Sequence, residues 1–268
     1  MMAPSRPFSL QPDLTSYELP LNEKTRNFLR LEQFFSEIQK GIDEKSCDSA
    51  RMALIQMIEL CDFIQRVDIK KDLIQELEII ISSFKQLSGN PNVDSKSLTK
   101  LLSEMNEGLN FLRIRDYQPG NLLQKDELAI QVRHRLGISG GACHFDIPRL
   151  YYWINKSEVE RTTQLNEWME DLRPILWANK LILRVVRESG QASNATATNG
   201  FYQETLDTNA KYYLLRIHLP KEGSIFPEIS GGKHRFTIRF YMHSSTKLKP
   251  QKSDENIEFF VEHCGITS

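Results

Sequence analysis

The sequence predicts an α+β protein in which an N-terminal and central helical bundle is followed by a small, mainly antiparallel β-sheet domain. Apolar residues recur with the 3.6-residue period of amphipathic helices over most of the first 190 residues. After a small, polar segment, "SGQASNATATNG" at 189–200, the apolar residues instead alternate with polar ones, as in half-buried strands. Short strands that follow a run of helices favour a helical layer joined to an antiparallel sheet.

The helical domain is predicted over 21–190, after a loose N-terminal segment at 1–20 in which "TSYELPL" is compatible with a short strand. Its first helix has Asn22 as the N-cap and ends at Gly41. Further helices are predicted over about 47–66, 69–87, 94–110, 121–136 and 158–188.

Two prolines mark boundaries within the second half of this domain. Pro148 suits the first turn of a short helix, for which Asp146 is the expected cap. Pro174 removes a backbone donor from the 158–188 segment and must kink or divide it.

The β-rich domain is predicted over 191–264, and the segment at 189–200 is interpreted as a loop or linker before its strands. Three stretches alternate with a period of two: "YYLLRIHL", "KHRFTIRFYM" and "NIEFFVEH". In the second stretch Phe236, Ile238 and Phe240 point to one side, which we expect to be buried.

The composition excludes several classes of function. The chain of 268 residues has a net charge of −1, which does not predict a nucleic-acid or membrane partner from bulk electrostatics. It contains no secretory signal and no apolar run long enough for a membrane span. The four cysteines are scattered and indicate reduced thiols. We therefore expect a cytoplasmic protein.

Positive charge is concentrated locally, because residues 229–253 contain six lysines and arginines and no acid. Strand alternation places Lys233, Arg235 and Arg239 on one face, which Arg216 and His218 would extend. Two interpretations stay open. Glu258 and Glu262 of the last strand would neutralise these cations as exposed ion pairs, or the cations would form a binding surface with the neighbouring aromatic residues Tyr212, Tyr241 and "GFYQ" at 200–203.

Other motifs are weaker. The turn "GISGGACHFDIP" precedes a helix but lacks the spacing of a phosphate-binding loop. The doublets Cys143-His144 and His263-Cys264 lack the usual spacer of a zinc site and are interpreted as ordinary thiols. No catalytic signature is present, so we predict no catalytic residue, no metal and no cofactor.

Four longer motifs resemble one family. In order, they are "PLNEKTRNFLRLE" at 20–32, "VRHRLGISGGACHFDIPRLYYWI" at 132–154, "NGFYQ" at 199–203 and "FPEISGGKHRFTIRFY" at 226–241. Together they are similar to the ZapD family of Z-ring-associated cell division proteins, over about residues 17–263. The sequence departs from the family in its long N-terminus, in "ISGG" where a proline is expected, in Glu127 where positive charge is expected, and in the tail "GITS".

The resemblance implies a non-enzymatic protein with a helical domain joined to a β-rich domain. It implies a homodimer that binds the C-terminal peptide of the division GTPase FtsZ, bundles FtsZ filaments and is recruited to the Z-ring at midcell. The matching basic positions are Arg30, Arg133, Arg135, Lys233, Arg235 and Arg239. To these the basic strand face adds Arg216 and Tyr241 as candidate contacts.

Two alternatives come from other classes of protein. A single-stranded RNA-binding module would use the same basic and aromatic sheet face, although the net charge of −1 and the lack of RNP-like motifs do not favour it. An enzyme of unknown type would use the "SGGACHFD" turn.

Overall fold

A computed structural model describes residues 13–86, 88, 94–207, 210–243 and 247–265. The chain divides into two compact units: a helical unit of residues 27–183, and a β unit that combines the chain up to Arg26 with the chain from Arg184 onward. Helices and antiparallel sheets account for most of the described residues, so the predicted α+β fold is confirmed. The first twelve residues of the predicted loose segment lie outside the described part of the chain.

The helices follow the predicted pattern closely. Their bounds are α1 Glu23–Asp43, α2 Cys47–Arg66, α3 Ile69–Gln86, α4 Ser95–Leu112, α5 Asn121–Gln124, α6 Glu127–Leu136, α7 Pro148–Ile154, α8 Glu158–Met169 and α9 Arg173–Glu188. The apolar stripe of α1 is buried at Phe28, Leu31, Phe35 and Ile38, as its period predicts. The side chain of Asn22 accepts a hydrogen bond from the Thr25 amide at 2.8 Å, which confirms the predicted N-cap.

Local capping explains where the structure departs from the predicted helices. The helix predicted over 121–136 is two helices, because the side chain of Asp126 accepts hydrogen bonds from the Leu128 and Ala129 amides and starts α6 anew. Asp146 does not cap α7; Ile147 is the N-cap residue and makes no side-chain bond. Pro174 lies in the first turn of α9, which a 3₁₀ turn separates from α8.

The described residues of the β unit form two sheets. Its strands are β1 Leu14–Pro20, β2 Gln191–Ala197, β3 Phe201–Thr205, β4 Tyr212–Pro220, β5 Ile225–Gly231, β6 Arg235–Met242, β7 Gln251–Lys252 and β8 Ile257–Gly265. Sheet A has the order β1-β4-β8-β2, and sheet B has the order β3-β6-β5 with β7 paired to β6. The loop predicted over 189–200 is wrong, because β2 pairs along its full length with β8.

Both sheets contribute side chains to one apolar core. Sheet A supplies Leu215, Ile217, Leu219, Ile257, Phe259 and Val261, and sheet B supplies Phe236, Ile238 and Phe240. The inward residues predicted for the second alternating stretch are therefore confirmed. Because the core takes every second residue of β6, the residues between them project from the opposite face of sheet B.

Two features are absent from the described part of the chain. None of the helices there is both long and apolar enough to cross a membrane. Nor does that part of the chain hold a group of three or more histidine, cysteine, aspartate or glutamate side chains arranged to bind a metal ion.

Candidate partner-binding site

The central strand of sheet B carries the basic residues that the sequence singles out. Phe236, Ile238 and Phe240 of β6 are fully buried, whereas Arg235 and Arg239 are exposed. The predicted alternation of β6 is therefore confirmed. Lys233, which precedes the strand in the β5–β6 turn, is also exposed.

The neighbours of β6 complete a surface that we call the arginine face. Directly opposed residues of antiparallel strands project to the same side of a sheet, so the strand register defines its members. They are Phe201, Gln203 and Thr205 of β3, Arg235, Thr237, Arg239 and Tyr241 of β6, Phe226, Glu228 and Ser230 of β5, and Lys252 of β7. The arginine face thus combines two guanidinium groups, one ammonium group, three aromatic rings and one carboxylate.

The two arginines of this face have no counter-charge bound to them. Within the described residues, Arg235 and Arg239 make no side-chain hydrogen bond and no ion pair, and the same holds for Lys233. Arg235 lies opposite Thr205, and Arg239 lies between Phe201 and Glu228 in register. The two arginines are four residues apart along β6, which corresponds to about 13 Å. The arginine face therefore offers exposed donors to an acidic ligand.

Aromatic rings flank one end of this face. The rings of Tyr241 and Phe226 stack at 5.8 Å between centroids, with an interplanar angle of 22°. Phe201, opposite Arg239, is 42% exposed. The sequence indicated Tyr241 and "GFYQ", but it gave no signal for Phe226 or Glu228, because their placement depends on the β5–β6 register.

The turn before β3 fixes the position of Phe201. Thr198 and Phe201 exchange two backbone hydrogen bonds of 3.0 Å around a two-residue Asn-Gly turn, in which both Asn199 and Gly200 have positive φ. The Gly200 carbonyl also accepts a hydrogen bond from the Phe240 amide at 2.9 Å. A Cβ atom at Gly200 would collide with the backbone carbonyl of Ser253.

We expect Gly200→Ala to lower the free energy of unfolding by about 1–3 kcal/mol, because alanine disfavours the positive φ and lacks room there. Urea unfolding of the purified variant measures this. Gly223→Ala is the matched control, since Gly223 has open space around it, and we expect its change to stay within about 0.5 kcal/mol. Equal stability of the two variants would contradict this account of the turn.

Arg216 lies in sheet A and not on the arginine face. Its Nε donates to Glu18 at 3.0 Å and its Nη1 donates to Glu262 at 2.7 Å, and both acids are its direct cross-strand neighbours. Arg187 also binds Glu18, through two hydrogen bonds of 2.9 and 2.8 Å. The expectation that Arg216 and His218 extend the basic face of β6 is therefore wrong, because β4 belongs to the other sheet.

His218 completes this ion network. Its Nε2 lies 2.9 Å from Glu262, and its Nδ1 lies 2.8 Å from the hydroxyl of Ser16 on β1. A carboxylate only accepts, so Nε2 carries the proton. The side chains of His218 and Glu262 are 2% and 9% exposed. Glu262 therefore pairs within sheet A, and the alternative in which it neutralises the cations of β6 is wrong.

Burial of Glu262 would raise its pKa, but the hydrogen bond with His218 and the charge of Arg216 outweigh burial and lower the pKa. A carboxyl group whose folded-state pKa is depressed contributes stability above its unfolded pKa of about 4.3. That contribution is lost as the pH falls through the lower folded-state pKa. Acidification should therefore weaken the β unit partly through Glu262.

We expect Glu262→Gln to be less stable than the wild type at neutral pH, and the difference should shrink as the pH falls below about 4. The side-chain amide of glutamine is neutral, so it lacks the charge through which the ionised carboxylate of Glu262 stabilises the folded state. Urea unfolding of both proteins along a pH series measures the difference directly. A gap that stays constant from neutral to acidic pH would contradict the assigned pKa shift.

The other three candidate arginines belong to the helical unit. Arg133 pairs with Asp62 at 2.5 Å and donates to Gln65 at 3.3 Å. Arg135 lies 3.6 Å from Asp146, and Arg30 donates to Asn27 at 3.3 Å. The ion pairs of Arg133 and Arg135 are partly solvated and so are worth about 0–1 kcal/mol each. Both guanidinium groups can exchange such a partner for another carboxylate at little cost.

The weaker motifs have ordinary local environments. Cys61 and Cys264 are buried, and burial is the main cause that raises the pKa of each thiol to about 12. Cys47 is exposed and Cys143 is half-buried. The cysteines therefore serve as packing residues or as unpaired thiols.

Together, these units define an α+β protein that presents exposed arginines and aromatic rings on a β-sheet. Residues 29–239 match the family model described as ZapD, cell division protein. The chain is 31% identical over 251 residues to cell division protein ZapD of Cupriavidus necator, covering 93% of this chain and 99% of the relative. It is 32% identical over 248 residues to cell division protein ZapD of Methylococcus capsulatus, covering 92% and 97%.

The chain therefore belongs to the ZapD family of cell division proteins. This result confirms the resemblance found in the four sequence motifs. Family membership supports a role in cell division, and ZapD is not a known enzyme family.

Proposed function

We propose that the protein binds the C-terminal peptide of FtsZ through the arginine face and, as a homodimer, cross-links FtsZ filaments into bundles that stabilise the Z-ring. The observation that carries this proposal is the pair of exposed arginines, Arg235 and Arg239, which lack an ion-pair partner within the described residues. The identity of the partner comes from the family resemblance. The protein acts by binding alone, in the cytoplasm and at midcell.

The chemistry of the arginine face suits an acidic peptide. A guanidinium group binds a carboxylate through two parallel hydrogen bonds, and such charge-assisted bonds are stronger than neutral ones. Arg133 and Arg216, by contrast, each already form an ion pair with a carboxylate of this protein. Arg235 and Arg239 keep their donors available, so an incoming carboxylate displaces no ion-pair partner within the described residues.

The proposed contacts differ in role among the candidate residues. Lys233, Arg235, Arg239 and Tyr241 contact the peptide directly. Arg30, Arg133 and Arg135 of the helical unit bind acidic residues of FtsZ in exchange for their present weak partners. Arg216 supports the site indirectly, because its ion pairs join β1, β4 and β8.

Two binding sites per dimer explain how weak contacts produce bundles. A mobile peptide loses conformational freedom when it binds, so each site should have a dissociation constant on the order of micromolar. A filament repeats the peptide on every subunit. Binding of a second site on the same dimer is then effectively intramolecular, and the avidity exceeds the affinity of one site.

The proposal predicts dimers and salt-sensitive bundles. We expect light scattering of polymerised FtsZ to rise when the protein is added, and electron microscopy to show laterally associated filaments. Size-exclusion chromatography with multi-angle scattering measures the oligomeric state in the same buffer. A monomer that still bundles filaments would contradict the cross-linking mechanism.

We expect bundling to weaken as the salt concentration rises from about 0.05 to 0.5 M, because screening shortens the reach of exposed charges from roughly 14 Å to 4 Å. Light scattering across a potassium chloride series measures this, and FtsZ alone in each buffer corrects for changes in polymerisation. Bundling that is insensitive to salt would rule out a binding mode based on the arginines.

A second candidate partner is single-stranded RNA. The aromatic rings of Phe201, Phe226 and Tyr241 share an antiparallel sheet surface with arginines. This arrangement favours RNA, because nucleic-acid bases stack on such rings. The carboxylate of Glu228 on the same face would repel a phosphate backbone. A mobility-shift assay with a labelled single-stranded RNA separates the two partners.

A further inference from the structure

The inner face of sheet A becomes polar at one end of the β unit. Its row of inward residues on β8 is apolar and buried as far as Val261 and then continues with His263. On β2 the inward row likewise changes, from Ala195 to Ser193 and Gln191. The register pairs Ser193 with Val261 and Gln191 with His263, so the polar ends of the two rows lie side by side. The apolar core therefore stops short of this end, where Ser193 and Gln191 are exposed.

A cavity of about 530 Å³ lies at this polar end. The described residues that line it include Gln191, Ser193, Lys211, Tyr212, His263 and Gly265. Small-molecule sites in proteins usually have volumes of about 300–1,000 Å³, so the cavity has room for a small ligand. The arginine face is the outer face of sheet B, so this cavity is a separate feature of the β unit.

Two rings meet at the wall of this cavity. The centroids of Tyr212 and His263 lie 5.7 Å apart, with an interplanar angle of 52°. A register shift at the start of β4 sets Tyr212, and not Tyr213, opposite Gly265. Tyr212 consequently projects from the same face as His263, and bulges often redirect a side chain toward a site in this way. Nε2 of His263 also lies 3.2 Å from Oε1 of Glu204 on β3, which helps to fix the imidazole ring.

The other lining groups favour an anion that can also accept and donate hydrogen bonds. Lys211 lines the cavity, and no acidic residue does so within the described part of the chain. The Lys211 ammonium lies 5.0 Å from the ring centroid of Tyr213 and pairs with none of the described carboxylates. The Gln191 amide makes no hydrogen bond to a described residue, and the Ser193 hydroxyl makes only one, of 3.4 Å, to the Val261 carbonyl. A single positive charge best matches a ligand with a single negative charge.

We propose that this cavity binds a small aromatic carboxylate, with the ligand ring against Tyr212 and His263 and the ligand carboxylate at Lys211. The amide of Gln191 hydrogen-bonds a polar group on the ring. Aromatic rings prefer offset-stacked or edge-to-face contacts, which the tilted pair of Tyr212 and His263 can offer. Because the ion pair at Lys211 is exposed to water, we expect a dissociation constant on the order of 0.1–1 mM for a ligand of two rings. The site goes beyond the proposed function and does not depend on FtsZ.

The test titrates three small probes against the full-length protein and follows binding by saturation-transfer NMR. Indole-3-carboxylate carries both the ring and the charge, indole-3-carboxamide lacks the charge, and cyclohexanecarboxylate lacks the flat ring. We expect indole-3-carboxylate to bind with the affinity given above. We expect each of the other two probes to bind at least about threefold more weakly, because each loses one of the two contacts.

Two variants locate the site. Lys211→Met removes the charge and keeps an unbranched side chain, so we expect it to weaken binding of indole-3-carboxylate about threefold to fivefold and to change binding of the carboxamide by less than about twofold. Tyr212→Leu should weaken binding of both indole probes. Lys249→Met is the matched control, because Lys249 is exposed in the same unit and does not line the cavity. Circular dichroism verifies that each variant is folded.

Two results would overturn the proposal. The first is that indole-3-carboxylate shows no saturable binding to the wild type. The second is that Lys211→Met binds indole-3-carboxylate as tightly as the Lys249→Met control does, and this comparison decides the matter even if Tyr212→Leu fails to fold. Neither result bears on the arginine face, which the experiments with FtsZ test separately.

Discussion

We expect reversal of the charge of Arg235 and Arg239 to glutamate to abolish FtsZ bundling and to leave the protein folded. Each reversal removes charge-assisted hydrogen bonds worth roughly 1.5–3 kcal/mol and adds repulsion, so we expect the double variant to bind the FtsZ peptide at least about 100-fold more weakly. The fold should survive because both side chains are exposed and have no ion-pair partner within the described residues. Anisotropy with the peptide and light scattering with filaments measure the two effects.

The control for this variant must change the net charge by the same amount. Lys96→Glu/Lys100→Glu does so on exposed side chains of α4. We expect it to bundle filaments nearly as well as the wild type. Circular dichroism and the elution volume verify that both double variants keep their fold. A folded Arg235→Glu/Arg239→Glu protein that still bundles filaments would refute the arginine face as the binding site.

The second large effect concerns stability. Glu262→Ala leaves Arg216 with one of its two carboxylate partners and removes the acceptor of His218, both in a largely buried setting. Removing one partner of a buried ion pair typically costs about 3–5 kcal/mol, so we expect a fall of that size in the free energy of unfolding. Urea unfolding followed by circular dichroism measures it.

Glu258→Ala is a matched control on the same strand, because Glu258 is exposed and lies on the same face of β8 as Glu262. We expect its effect to stay within about 0.5 kcal/mol. The comparison separates loss of the network from loss of a strand carboxylate in general. Similar stabilities of Glu262→Ala and Glu258→Ala would show that the ion network contributes little to the β unit.

The sequence predicted the parts of the fold that depend on local pattern. The stripe of α1 and the alternation of β6 follow from the periods of helix and strand, and tertiary packing reinforces both. The exposed arginines were found in the same way, because Phe236, Ile238 and Phe240 fix the side from which Arg235 and Arg239 project.

The parts that the sequence missed depend on pairing between distant residues. The segment "QASNATA" has no apolar period, yet it forms β2 because β8 provides hydrogen bonds along its whole length. The bond between Arg216 and Glu18 joins residues 198 positions apart. Likewise, Phe226 and Glu228 join the arginine face only through the register of β5 with β6.

The central claim is that the protein binds filaments through the C-terminal peptide of FtsZ. The most direct test is co-sedimentation with polymerised FtsZ, run beside FtsZ truncated before that peptide. We predict that the protein pellets with full-length filaments at low salt and stays in the supernatant with truncated ones. Equal pelleting with both kinds of filament, or with neither, would contradict the claim.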